Sequence, residues 1–235
     1  MRVLLLLFLC FWCICIHAQF RLGIQAGYSR FKWASINATP SAFPDSYTTS
    51  ELSGFQTGLV AEVKLSDKLF LRPALFVSGK GTTLNRQSSF DTSSRRIWIG
   101  YIEVPVTLVY QGRLSSKIIG FAGGGFYAAH AFRGLEKGES KSLSGESLIY
   151  NKVEFGTHND GPAFQILPTI VKPFDYGFTV LAGMELKSVQ LLLIYSQGLK
   201  TLLPNGKPYN GNYINSGLIV SAAYLINMKR RRMKL

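Results

Sequence analysis

After position 18 the chain holds no cysteine, because Cys10, Cys13 and Cys15 all lie in its first eighteen residues. That removes a disulfide framework, a thiolate zinc site and a cysteine nucleophile from the remaining residues. Histidine is nearly as scarce, with three in all. Acidic residues number 13 against 26 Lys and Arg, and charged residues make up only 17% of the chain. Beyond the leader no stretch approaches the eighteen or so unbroken apolar residues of a membrane-crossing helix. What the sequence has instead is aromatic residues at 13% and 23 glycines, a mixture that suits a strand-rich protein with one face in lipid.

The start of the chain reads as a secretory signal peptide over residues 1–18. Arg2 gives the positive end, Val3 to Ile16 the short apolar core, and His17-Ala18-Gln19 the cleavage site. A barrel is expected over 19–228 and a basic periplasmic tail over 229–235. The formal charge of +13 does not imply nucleic acid. Arg2 and the tail residues Lys229, Arg230, Arg231, Arg232 and Lys234 hold nearly half of the excess. Secretion also removes the chain from cytoplasmic nucleic acid, and anionic lipid headgroups account for a moderately basic barrel.

Between these ends the apolar residues alternate with a period of two. In the segment from Phe174 to Leu199, Tyr176, Phe178, Val180, Ala182, Met184 and Leu186 face one way. Asp175, Gly177, Thr179, Leu181, Gly183 and Glu185 face the other. Lys187-Ser188 then turns the chain into a second strand with Val189, Leu191, Leu193 and Tyr195 on the apolar face, as in a two-residue hairpin. The same alternation predicts strands over Phe20 to about Trp33, Gly54 to Leu65, Leu69 to about Lys80, Ile97 to Tyr110, Lys117 to about Phe132, and about Tyr213 to Ile226. Long polar loops are expected over Ala34 to about Leu52, Gly81 to about Arg96, Arg133 to about Pro173, and around Pro204-Asn205-Gly206-Lys207-Pro208. Tight turns fall between them. Gly123-Gly124-Gly125 blurs the facing of its strand and permits a bend or close packing in a narrow barrel.

Long and short connections therefore alternate along eight strands. The expected fold is all-β: an eight-stranded antiparallel transmembrane β-barrel with an up-and-down meander, long loops extracellular and termini periplasmic. A soluble lipocalin-like barrel is the competing architecture, with apolar side chains turned inward. The opposite face argues against it, since Glu62, Lys64, Arg72, Lys80, Glu103, Asp175 and Glu185 are expected inside and are too many charges for a dry ligand cavity. Trp33, Phe70, Trp98, Tyr110, Tyr176, Tyr195, Tyr213 and Tyr224 lie near strand ends and are assigned to aromatic girdles.

Three segments resemble the PorT-like outer-membrane β-barrel family of Bacteroidota. Tyr101-Ile102-Glu103-Val104-Pro105-Val106 is similar to that family's aromatic-leucine-glutamate-isoleucine-proline strand. Gly120-Phe121-Ala122-Gly123-Gly124-Gly125 resembles its glycine-rich strand. Phe174-Asp175-Tyr176-Gly177, Gly183, Tyr195, Gly198 and Leu199 resemble its late hairpin. One departure is Ile194, where the family often carries a basic residue. The resemblance implies an outer-membrane barrel, and the family's named member is implicated in secretion and gliding.

No motif for chemistry stands out. His130 with Ser78 or Ser196 is the candidate pair for a lipid-modifying enzyme, and His158-Asn159-Asp160 lacks the second histidine of a metal site. Gly123 to Gly125 is no phosphate loop, since no Lys-Ser/Thr follows. The interior carboxylates pair most economically with Arg72, Lys64 and Lys80. The expectation is a non-enzymatic envelope scaffold or secretion-associated component, without cofactor, metal or nucleic acid. Its partners are outer-membrane lipid and lipopolysaccharide, and other envelope proteins. A narrow solute pore and, after it, a lipid-modifying enzyme are the alternatives.

Overall fold

A computed structural model describes residues 20–35, 46–87, 91–142, 145–157, 169–204 and 213–227. The leader, the basic tail, His158 and all of residues 205–212 lie outside the described residues. Strands run β1 Phe20–Ser35, β2 Ser46–Lys64, β3 Leu69–Gln87, β4 Asp91–Arg113 and β5 Ile118–Ser142. They continue with β6 Gly145–Lys152, β7 Glu154–Phe155, β8 Ile170–Val171, β9 Phe174–Leu186, β10 Val189–Gly198 and β11 Tyr213–Asn227.

Eight of these close a ring. The order β4-β3-β2-β1-β11-β10-β9-β5 is completed by the pairing of β4 with β5, and every neighbour in it is antiparallel. This is an eight-stranded antiparallel meander barrel. Closure leaves none of the eight with a free edge in the wall, which a sheet in lipid requires because no water is present to satisfy bare N–H and C=O groups.

The alternation read from sequence appears directly in the wall. Along β4, Tyr101, Glu103, Pro105, Thr107 and Val109 are buried, while Ile102, Val104, Val106, Leu108 and Tyr110 are exposed. Leu59, Leu75, Val180, Met184, Leu191, Leu193, Leu218 and Val220 belong to the same exposed outer band. Trp98 and Tyr110 mark its two edges on one strand. The twelve steps between them, at about 3.3 Å each and tilted by about 40°, span about 30 Å across the membrane.

The strands run farther than the apolar pattern. The expected loop from Gly81 to Arg96 is instead the paired ends of β3 and β4, joined rung by rung from Gly81↔Trp98 to Gln87↔Thr92. The expected loop from Ala34 to Leu52 already contains β2 from Ser46 onward, and that from Arg133 to Pro173 contains the rest of β5 together with β6, β7 and β8. β5 has two partners in succession. Up to His130 it pairs with β9, and from Leu135 it pairs with β6. Between these stretches its register against β4 slips, with Gly100 opposite Arg133 and Tyr101 opposite Ala131. The extra residue leaves Phe132 and Arg133 both exposed in succession, a β-bulge that moves the inward positions from Ala129 and Ala131 to Gly134 and Glu136.

The glycine triplet has a steric reason at Gly125. A Cβ there would lie 2.0 Å from the Val106 carbonyl oxygen and 2.7 Å from Thr107 Cα, so the backbones of β4 and β5 approach where a side chain does not fit. Gly124, on the outer side, has nothing closer than 3.4 Å.

Candidate functional site

The interior is a column of side chains in layers. Nearest the tight turns is a polar layer. Arg72 donates to Glu62 at 2.6 Å, to Gln190 Oε1 at 2.5 Å and to Gln25 Oε1 at 2.9 Å. Arg21 reaches Glu185 at 2.6 Å and Glu62 at 3.1 Å. The Gln190 amide donates to Glu185 at 2.8 Å and to Glu62 at 3.1 Å, and Gln25 donates to Ser221 at 3.1 Å. Two guanidinium groups thus balance two carboxylates, and five strands of the wall are tied together through them. Arg and Glu suit this place because the planar fork delivers several directed donors to carboxylate lone pairs at once.

A second polar layer lies toward the long loops. Lys80 Nζ is 2.7 Å from Glu103 and 4.0 Å from Asp175. The shorter approach lies outside hydrogen-bonding angles, since Nζ has no hydrogen-bond partner, so the attraction is Coulombic. Aromatic faces take up the rest of the ammonium's environment, with the Tyr127, Phe31 and Tyr101 ring centres at 4.1, 5.2 and 5.6 Å. Asp175 accepts from Asn215 at 2.9 Å and from the Tyr127 hydroxyl at 3.1 Å, and Glu103 accepts from Ser78 at 3.0 Å.

Apolar side chains fill the remaining space. Phe31, Val60, Val109, Phe121, Leu181, Leu192, Ile194 and Ile219 form one cluster. Beyond the second polar layer Trp33, Ile97, Ile99 and Tyr101 form another, and Val171, Leu202 and Leu203 come down on it from the loop segments at the mouth. Those segments are pinned by Lys172 N donating to Leu202 O and Leu202 N donating to Tyr213 O. Above them Glu136 pairs with Arg95 at 3.3 Å and accepts from Thr169 N at 3.1 Å. One cavity of about 30 Å³ lies between the two polar layers, lined by residues that include Gln25, Arg72, Glu103, Thr107 and Ser196. That holds a water or two.

Six of the seven charges assigned to the interior, Glu62, Arg72, Lys80, Glu103, Asp175 and Glu185, are buried there. Lys64 is not among them. It stands at the rim and pairs with Asp67 of the β2–β3 turn at 2.9 Å, because the last inward position of the strand is already level with water. The Lys64 ammonium holds the Asp67 carboxyl below the usual carboxylate range. Three residues assigned to the girdle face inward instead. Trp33 is 2% exposed and packs against Tyr213 at 6.3 Å, and Phe70 lies opposite the buried Val109. Their bulk fills the ends of the column. Trp98, Tyr110, Tyr176, Tyr195 and Tyr224 are on the outer face.

His130 is exposed on the outer face of β5, whereas Ser78 and Ser196 are buried inside and bonded to Glu103 and to Thr179. The wall stands between the histidine and either serine. Arg21, Gln25 and Gln190 carry as much of the inner layer as the charges expected from sequence. Their alternation with Leu22, Ile24, Val189 and Leu191 was the available signal.

The match to a family model decides the class. The model for the outer membrane protein beta-barrel domain covers residues 15–203. The chain belongs to this outer membrane β-barrel family. Solved structures with similar folds include the outer membrane protein OprG from Pseudomonas aeruginosa, at 11% identity and a TM-score of 0.48, covering 90% of this chain and 98% of that one. The attachment invasion locus protein Ail of Yersinia pestis is 10% identical with a TM-score of 0.36, over 88% of this chain and 99% of that one. An outer membrane channel from Pseudomonas putida F1 is 13% identical with a TM-score of 0.29, over 88% and 96%. No curated protein matches in sequence. As an outer membrane β-barrel, the chain places its exposed apolar band against lipid and its ion pairs within the wall.

Proposed function

We propose that this outer membrane barrel is a closed, non-enzymatic anchor of the PorT-like kind. In this reading it stands in the envelope with its long loops and strand extensions outside and its tight turns in the periplasm, and it works by contact with lipid and with other envelope or secretion components. The observation that carries the reading is the filled interior. Two polar layers, two apolar clusters and the Val171–Leu202–Leu203 cap occupy the axis, with a cavity of only about 30 Å³ between them. An ion would have to displace the Arg72–Glu62 and Lys80–Glu103 pairs to pass, at a cost of several kcal/mol for each uncompensated buried charge. The exposed His130, with the candidate serines on the other side of the wall, supports a role without chemistry. Planar-bilayer recording of the refolded protein is the test. The expected trace is flat at moderate voltage. Reproducible unit conductance would replace this reading with the pore.

A further inference from the structure

Just outside the apolar band, the outer face of the β4–β5–β6 extension carries a row of cations that make no ion pair among the described residues. One rung of the sheet reads Thr83↔Arg96↔Lys137↔Tyr150, so Arg96 and Lys137 are direct cross-strand neighbours on the same face. The next rung toward the membrane reads Gly81↔Trp98↔Leu135↔Lys152, and the one after it places Arg133 at the bulge. Arg96, Lys137, Arg133 and Lys152 are all exposed, and none has an ion-pair partner among the described residues. The exposed Glu154, two residues past Lys152 on the membrane side, makes no ion pair with them, and the other outward carboxylates stand farther from the membrane. Glu139 lies one rung out, and Glu146, two rungs out, is held by Lys141 at 2.8 Å. Like charges placed directly across two strands destabilise a sheet, and Tyr150, 5.1 Å from Lys137 Nζ, offers only its ring face in compensation.

Below this row the surface is shaped for hydrocarbon. The Trp98 indole lies flat over Gly79, where a Cβ would come within 2.6 Å of Nε1, and it stacks with Phe55 at 6.4 Å. The Phe132 ring covers Gly100 in the same way, and the exposed Ile102 continues the platform into the band. Cations directly above aromatic and aliphatic side chains match a molecule that is anionic at its head and apolar below.

We propose that Arg96 and Lys137, with Arg133 and Lys152 beside them, form a binding site for the phosphate headgroup of a membrane lipid whose acyl chains lie on Trp98, Phe132 and Ile102. The site rests on the outer membrane placement of the barrel but not on whether the barrel conducts. A bound lipid phosphate sets a negative charge between Arg96 and Lys137, and the two adjacent cations give it several donors.

The test uses the full chain with Trp12→Phe, refolded into vesicles of phosphatidylcholine doped with acyl-brominated lipid. Trp33 is buried inside the barrel and serves as the shielded reference, so quenching reports Trp98. Brominated phosphatidic acid is expected to quench at lower mole fraction than brominated phosphatidylcholine, and added salt narrows the difference. The Arg96→Gln/Lys137→Gln pair is expected to reduce this preference about fivefold for each charge removed. Glu139→Lys, which adds a cation to the row, is expected to increase it. Heat-dependent gel mobility confirms that each variant is folded. Equal quenching by the two lipids, or a preference unchanged in both variants, would overturn the site. Relief of the preference by millimolar inorganic phosphate would assign the cations to a soluble anion instead. None of these results depends on conductance, so failure here is distinguishable from failure of the closed-anchor reading.

Discussion

The two polar layers inside the barrel solve one problem in different ways. The layer near the tight turns has two guanidinium groups and two carboxylates, and side-chain amides from Gln25 and Gln190 occupy further donor and acceptor positions. The layer toward the mouth has one ammonium and two carboxylates. Lys80 Nζ, Tyr101 Oη, Asp175 Oδ1 and Asn215 Oδ1 are all buried there without a hydrogen-bond partner. In the first layer cations and carboxyl groups are equal in number, and only Arg21 Nε lacks a hydrogen-bond partner. The second has one carboxyl more than it has cations, and aromatic faces surround its ammonium. Pairing in the first is therefore specific to each group, whereas the second has a carboxylate to spare.

That contrast is open to direct challenge by urea unfolding of the protein in lipid vesicles. The largest effect is expected from Arg72→Met, which leaves Glu62 buried with only Arg21 and Gln190 near it. A loss of about 3–5 kcal/mol is the usual cost of orphaning a buried charge. Partial rescue by adding Glu62→Gln would show that the penalty comes from the stranded carboxylate and not from lost packing. Asp175→Asn in the other layer should behave oppositely. The amide oxygen still accepts from Tyr127, its nitrogen can donate to the unpartnered Asn215 oxygen, and the carboxyl in excess of the cations is removed. Stability is expected to change by less than about 1 kcal/mol, in either direction, since a well-made hydrogen bond is worth about that much. A loss as large as that of Arg72→Met would show that both layers depend equally on charge.

The smallest effect belongs to Lys64, the charge that left the interior. Lys64→Met is expected to leave the unfolding midpoint in place, because exposed ion pairs contribute little. Its signature is a titration. Asp67 has its folded-state pKa lowered by Lys64, so any stabilisation from the pair is present at neutral pH and is lost as pH falls through that lowered value. Without the lysine, the Asp67 carboxyl signal in NMR should titrate higher, in the ordinary carboxylate range.

The sequence was most legible where lipid lies on one side and a packed interior on the other. There each strand must alternate, so Glu62, Glu103, Asp175 and Glu185 were placed by parity alone, against neighbours such as Ile102, Val104, Tyr176 and Met184. It was least legible beyond the apolar band, where the outer face meets water and the buried inward positions include the polar Thr82 and Ser93. From Thr82 to Gln87 and from Asp91 to Arg96 the backbone ladder continues, but the apolar period stops and the residues look like a loop. Gly123 to Gly125 hid the inward-facing Tyr127 for a related reason, because residues without side chains carry no periodicity. Trp33 and Tyr213 were misplaced because an aromatic near a strand end suits either a lipid interface or the end of a packed column, and only the facing of its neighbours separates the two.

The two-partner strand β5 has a consequence for reach. From Leu135 to Ser142 it continues beyond its last barrel contact with β9 while still paired with both β4 and β6. Eight residues of strand rise about 26 Å. The hairpin is therefore a stiff spire continuous with the wall, whose height is set by hydrogen-bond register. Residues near its crest, such as the exposed Leu148, stand farther from the apolar band than the barrel's rim does. They can also change identity without disturbing a single contact inside the wall.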